Sequence, residues 1–112
     1  MNACRSFLHA KALPGRRADL VAAFQHRRIL EECLETISGA LDGELLLSNE
    51  DPDALCVTVL WSSVDAHLAW LASPVRAAQG PALAALVATV EPPVLMSVAY
   101  TLRSPGREES RS

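Results

Sequence analysis

The chain has 112 residues, enough for one domain with a true core, and 50% of them are hydrophobic. Its formal net charge of -3 argues against a broadly basic, nucleic-acid-binding surface. Asp, Arg or His interrupts every longer apolar stretch and Met1–Arg5 has no signal-peptide core, so a soluble cytoplasmic protein without a membrane span is expected. Cys4, Cys33 and Cys56 are odd in number and lack any CxxC or Cys/His ligand spacing, which fits reduced thiols rather than a disulfide framework or a zinc site.

In chain order, a first strand is expected over Ala3–Ala12, stopped by the turn signal Leu13-Pro14-Gly15. A single helix is expected over Arg17–Ile37. Read at about 100° per residue, it gathers Ala22, Ala23, Ile29, Leu30, Cys33, Leu34 and Ile37 on one arc, with Gln25, Arg28, Glu31, Glu32 and Glu35 opposite. Ser38-Gly39 closes it. A second strand (Gly43–Asn49) and a third (Leu55–Ser62) flank the hairpin loop Glu50-Asp51-Pro52-Asp53. Ser62 or Ser63 caps a further helix over Val64–Ala72, which is interrupted at Ser73-Pro74, resumes through Arg76 and Ala78, breaks at Gly80-Pro81 and ends near Val87. A last strand is expected over Pro93–Leu102. The polar residues 103–112 read as a disordered tail behind a single domain spanning 1–102.

The order β-α-β-β-α-β is that of an α+β, ferredoxin-like domain with both helical segments on one face of an antiparallel sheet. Leu45-Leu46-Leu47, Leu55–Trp61 and Val94–Tyr100 are largely apolar on consecutive positions. Alternate strand residues point to opposite faces, so such runs imply that both sheet faces are covered. Two helical segments cover one face. A second copy of the chain is the economical cover for the other, giving a homodimer through the sheet and a dimeric α+β barrel.

The stretch Ser38–Val75 resembles the antibiotic biosynthesis monooxygenase family. The resemblance rests on Ser38-Gly39 before the second strand, the Glu50-Asp51-Pro52-Asp53 hairpin, Trp61 ending the third strand, Ala66 five positions on, Trp70 nine on, and Ser73-Pro74 twelve and thirteen on. Leu13-Pro14-Gly15 fits the family's usual turn after the first strand; the proline that commonly precedes Gly39 is absent. The resemblance implies an oxygenase that needs neither metal nor flavin and oxidises an aromatic polyketide-like phenol or anthrone to a quinone with O₂. Haem-degrading relatives carry an axial histidine about ten residues beyond the second aromatic. Here that stretch reads Arg76-Ala77-Ala78-Gln79-Gly80, and haem iron needs a strong axial ligand. No cofactor is therefore expected.

His26, placed on the apolar arc of the first helix, is the first candidate for a general base, with His67 on the inward face of the second helical segment in reserve. Each has a plainer reading, as a core or helix-packing histidine held by one hydrogen bond. Trp61 and Trp70, the two tryptophans, are candidates for the walls of an aromatic slot, and also serve as ordinary core fillers. Tyr100 and Asn49, near strand ends, are candidates for hydrogen bonds to a phenol or carbonyl. Arg76 is a candidate partner for an enolate or carboxylate. His9 is expected on the sheet face turned away from the helices. A polyketide cyclase on the same barrel, or a non-catalytic small-molecule-binding protein, are the alternative functions.

Overall fold

The computed structural model describes residues 2–105. Nine elements follow one another: β1 (Cys4–Ala12), α1 (Arg17–His26), α2 (Ile29–Thr36), β2 (Ala40–Leu47), β3 (Ala54–Trp61), α3 (Val64–Leu71), α4 (Pro74–Ala84), β4 (Val87–Val90) and β5 (Val94–Ser97). All pairings are antiparallel, in the order β2-β3-β1, with β4 and β5 sharing the outer edge of β1. This is the α+β, ferredoxin-like arrangement, with α-helical cover on one face. Residues 106–112 of the expected tail lie outside the described residues.

The first helical segment is two helices rather than one. Arg28 adopts the left-handed conformation (φ 58°), ending α1 and starting α2. The break resets the helical phase. In α1 the inward row is Leu20 and Phe24, whereas in α2 it is Ile29 and Cys33, with Leu30 and Leu34 partly buried beside it. Arg17 fastens α1 to the hairpin by donating to the carbonyls of Ser48, Asp51 and Ala54 at 2.9–3.0 Å. The acidic hairpin is knitted into itself: Ser48 Oγ accepts from the amides of Glu50 and Asp51, and Asp51 Oδ1 from the amide of Asp53.

Ser63 caps α3 by accepting from the amide of Ala66, and Ser73 caps α4 with Pro74 in its first turn. The break expected at Gly80-Pro81 does not occur, because α4 runs on to Ala84. Pro81 brings no N–H to its helix, yet Ala77, Gly80 and Pro81 are all exposed, so water can satisfy the freed carbonyl.

The last strand also differs from expectation. Its place beside β1 is shared by β4 and β5, separated by Glu91-Pro92-Pro93. Between the pairs Ala10–Val90 and Phe7–Val94, β1 advances three positions while the edge chain advances four. The extra residue makes a bulge where two prolines bring no N–H to the ladder. β5 stops at Ser97 because β1 has run out: the Val98 amide bonds to the Ala3 carbonyl, and the chain beyond has no strand to join.

Strand alternation sorts the sheet into two faces. Ser6, Leu8, Val57, Val59 and Trp61 face the helices. Arg5, Phe7, His9, Lys11, Cys56, Thr58, Leu60, Asp42, Glu44, Leu46, Val94 and Met96 share the other side. That open face is mixed rather than uniformly apolar. Arg5 crosses it, donating to Thr58 Oγ1 at 3.1 Å and pairing with Asp42 at 3.1 Å, while Leu46, Val94 and Met96 stand exposed. Between sheet and helices the core falls into two clusters, one around Cys4, Cys33, Val59, Trp61 and Trp70, the other around Ala12, Leu20 and Leu55.

Candidate active site

A cavity of about 310 Å³ lies between the layers, where the two core clusters fail to meet; Phe24, Ile29, Leu30, Cys33, Trp70 and Gln79 are among its walls. A smaller one of about 60 Å³ continues from it toward α3 and is lined by Ser6, Trp61, His67, Trp70, Leu71 and Pro93. Leu8, Val57, Val59, Trp70 and Arg76 border both, so the two form one interlayer space. Its size is at the lower end of the ~300–1,000 Å³ typical of small-molecule sites. The edge-strand bulge delivers Pro93 to its rim.

His67 is the polar feature of the inner end. It sits on α3, only 6% exposed, and its Nδ1 is buried without a hydrogen-bond partner. Burial, and secondarily the nearby Arg76 charge, push its pKa below the ordinary histidine value. The imidazole is therefore neutral near pH 7 and able to accept a proton. An unpaired polar atom in a native interior calls for an explanation, and a bound molecule supplies one. Its ring stands edge-on to Trp61, which is itself 1% exposed and donates from Nε1 to Ser6 Oγ at 2.9 Å. Ser6 makes this possible because its side chain faces the helices beside the end of β3.

Arg76 lies at the junction of the two cavities, one turn into α4. Among the described residues no carboxylate comes within ion-pair distance of it, while Arg5, Arg16, Arg27 and Arg28 each have one. A cation without a protein partner at the mouth of an apolar space suits an anionic or enolate oxygen.

Of the residues singled out in the sequence, the fold brings together His67, Trp61, Trp70 and Arg76. It does not bring His26, which is exposed on the last turn of α1. The uninterrupted helix placed His26 on the apolar arc, but with α1 ending at residue 26 the inward row runs through Leu20 and Phe24, and His26 lies two positions, over half a turn, away from it. Tyr100 is 83% exposed beyond the end of β5, and Asn49 is exposed in the β2–β3 loop; neither lines the interlayer space. His9 is on the open sheet face, as its register requires. Two polar wall residues escaped the sequence reading, Ser6 and Gln79. Nothing distinguished Ser6, whereas Gln79 follows Arg76 by three positions and so shares its helical face.

Among the described residues no three His, Cys, Asp or Glu side chains gather as metal ligands, and no helix is long and apolar enough to cross a membrane. Burial raises the pKa of all three thiols, that of Cys33 to about 11, so none is an activated nucleophile.

An open antiparallel sheet with helices on one side, and an interlayer cavity that ends at a buried histidine, defines a ferredoxin-like α+β domain. The chain belongs to the antibiotic biosynthesis monooxygenase family, whose sequence profile matches residues 8–79. No curated protein matches it in sequence. Its fold is similar to that of SnoaB, a cofactor-independent oxygenase from Streptomyces nogalater, with a TM-score of 0.73, 20% identity, and 93% of this chain and 100% of that one covered. A protein from Bordetella bronchiseptica assigned as an antibiotic biosynthesis monooxygenase gives a TM-score of 0.71 at 23% identity, covering 91% and 100%. One so assigned from Chloroflexus aurantiacus gives 0.68 at 23%, covering 90% and 97%.

Proposed function

We propose that the protein is a cofactor-independent monooxygenase that oxidises an aromatic polyketide-like phenol or anthrone to a quinone with O₂, with His67 as the base. The observation that carries this reading is the buried Nδ1 of His67, neutral and unpartnered at the end of an apolar cavity. Family membership and the fold shared with an oxygenase described as cofactor-independent support it.

In this reading Trp61 and Trp70 wall the aromatic ring system and His67 removes a proton from the activated methylene. The resulting carbanion is an enolate, whose oxygen Arg76 stabilises. The enolate gives one electron to O₂, and the radical pair closes a C–O bond to a peroxide. The imidazolium returns the proton to the distal oxygen. Loss of water then leaves the carbonyl: one oxygen atom is in the quinone, and the other departs with both methylene hydrogens. A water-poor space holds the radical pair together until the bond forms.

The test is an oxygen electrode with 1,8-dihydroxyanthrone and EDTA, without flavin. O₂ uptake matching quinone formation one for one is expected, and His67→Ala is expected to lower it about 10²- to 10⁴-fold. Uptake no faster than spontaneous autoxidation would overturn the reading; ring closure of a poly-β-ketone substrate without O₂ would mark a cyclase instead.

The protein acts, in the same proposal, as a homodimer joined through the open sheet face. Leu46, Val94 and Met96 are exposed there, and Thr58 and Arg5 already meet their polar needs within one chain. Analytical ultracentrifugation should give a dimer that Met96→Lys with Leu46→Glu dissociates; a wild-type monomer at micromolar concentration removes the proposal. Three free thiols support a reducing cytoplasm as its location.

A further inference from the structure

We propose that Gln79 is a specificity-determining residue that accepts a hydrogen bond from a neutral hydroxyl on the substrate, at the end of the cavity away from His67. The inference rests on the interlayer space being the substrate site.

Gln79 is 4% exposed, on α4, and borders the larger cavity. Its Nε2 donates to the Ile29 carbonyl and to Glu32 Oε1, both at 3.1 Å. Both partners are acceptors, so only the amino end of the amide can face them. The Arg27 guanidinium, 2.8 Å from Glu32 Oε2, fixes that carboxylate in turn. Gln79 Oε1 is thereby left as an oriented acceptor whose rotation would break two hydrogen bonds.

The remaining walls at this end are Phe24, Ile29, Leu30, Cys33 and Leu83, which offer a ligand no charged or strong hydrogen-bonding side chain. A ligand group placed against Oε1 must be a donor. A phenol satisfies it, while a phenolate, a carboxylate or a methyl ether does not. One turn back on the same helix face stands Arg76, which favours the opposite kind of group. Along α4 the cavity therefore reads a substrate with polarity: an electron-rich or anionic oxygen toward Arg76 and His67, and a protonated hydroxyl toward Gln79. A site built around a hydroxyl binds the analogue that lacks it less tightly, because the oriented Oε1 acceptor then loses its donor.

The experiment uses two unreactive probes, 2-naphthol and 2-methoxynaphthalene, titrated calorimetrically into the full-length protein at pH 7, where the naphthol is neutral. The wild type should bind the naphthol about 3- to 10-fold more tightly. In Gln79→Met, which keeps the volume and loses the acceptor, the ratio should fall to within about twofold of unity. A ratio within one variant cancels any general loosening of the fold, and the wild-type ratio stands as a test even if that variant does not fold. A wild-type ratio near one, or a ratio kept in Gln79→Met, overturns the role of Gln79 and leaves the oxygenase reading standing. Failure of both probes to bind the wild type overturns the cavity as an aromatic site and the Gln79 inference with it, whereas binding of the naphthol alone is the discrimination at its fullest. The discrimination without O₂ uptake on the anthrone supports Gln79 and counts against the oxygenase.

Discussion

The imidazole of His67 meets the indole of Trp61 edge-on, with ring centroids 5.3 Å apart and planes at 60°. The contact links α3 to the end of β3. The Trp61 ring is itself anchored by its Nε1 bond to Ser6 Oγ on β1. The base candidate is thus positioned by packing against a fixed aromatic edge rather than by a hydrogen bond to its buried ring nitrogen.

A first consequence concerns pH. The folded pKa of His67 lies below the ordinary value of 6.5, chiefly through burial. Well above 6.5 the imidazole is neutral in both folded and unfolded chains and imposes no proton-linked penalty. As pH falls below 6.5 the unfolded chain binds the proton first, so this part of the stability is lost as pH descends through the folded pKa. The acid limb of turnover should accordingly fall below pH 6.5, and His67→Gln should flatten both that limb and the acid dependence of the urea midpoint. A limb centred above 6.5 would place the titrating group elsewhere.

Replacing Trp61 with Phe removes the indole N–H and part of the ring. Ser6, buried on the helix-facing side, then loses its partner and a small void opens against His67. Urea denaturation should show a loss of about 1–3 kcal/mol. Turnover should fall more than KM rises, because the imidazole loses the edge that holds it. An unchanged kcat would mean that His67 is held by something other than Trp61.

Much of the fold was legible because its signals are local. Ser63, one of the two serines expected to cap it, caps α3, Pro74 stands in the first turn of a new helix at the expected interruption, and the acidic hairpin turns through its own side chains. Trp61 and Trp70 are brought together because the turn after β3 lays α3 back over the sheet. What was hidden depends on single backbone angles and on long-range partners. Arg28 in the left-handed region is unusual for a residue other than Gly, Asn or Asp, and helical periodicity assumes no such break. That assumption carried His26 onto the wrong face. The last strand stops short of Tyr100 for a different reason: a strand ends where its neighbour ends, and the sequence of the strand alone does not say where that is.

His26→Ala provides the matching control. The side chain is exposed on the last turn of α1 and borders neither cavity. Turnover of the anthrone should stay within about twofold of wild type, and stability within about 0.5 kcal/mol, as for surface substitutions generally. A tenfold loss of kcat would mean that His26 reaches the substrate in a conformation other than this one.

Gly39 couples the start of β2 to the helix that carries His67. Its carbonyl accepts from the Ser62 amide at 2.7 Å, and a Cβ on it would lie 2.5 Å from the Ala66 Cβ and 2.7 Å from Ser62 Oγ. The hydroxyl can rotate away, but the Ala66 methyl is fixed to the helix backbone, so Gly39→Ala must push α3 outward at the residue before His67. Overpacking of this kind costs about 1–3 kcal/mol. A displacement on the order of 1 Å at a catalytic group can lower turnover by about a hundredfold. Ala66→Gly removes the obstructing methyl at a cost of about 1 kcal/mol in helix propensity. If the clash is the cause, the double variant should be more stable than the sum of the two single losses by at least about 1 kcal/mol, and should recover turnover lost in Gly39→Ala. Strict additivity in urea denaturation, with no recovery of turnover, would show that Gly39 matters for its backbone and not for the room it leaves beneath α3.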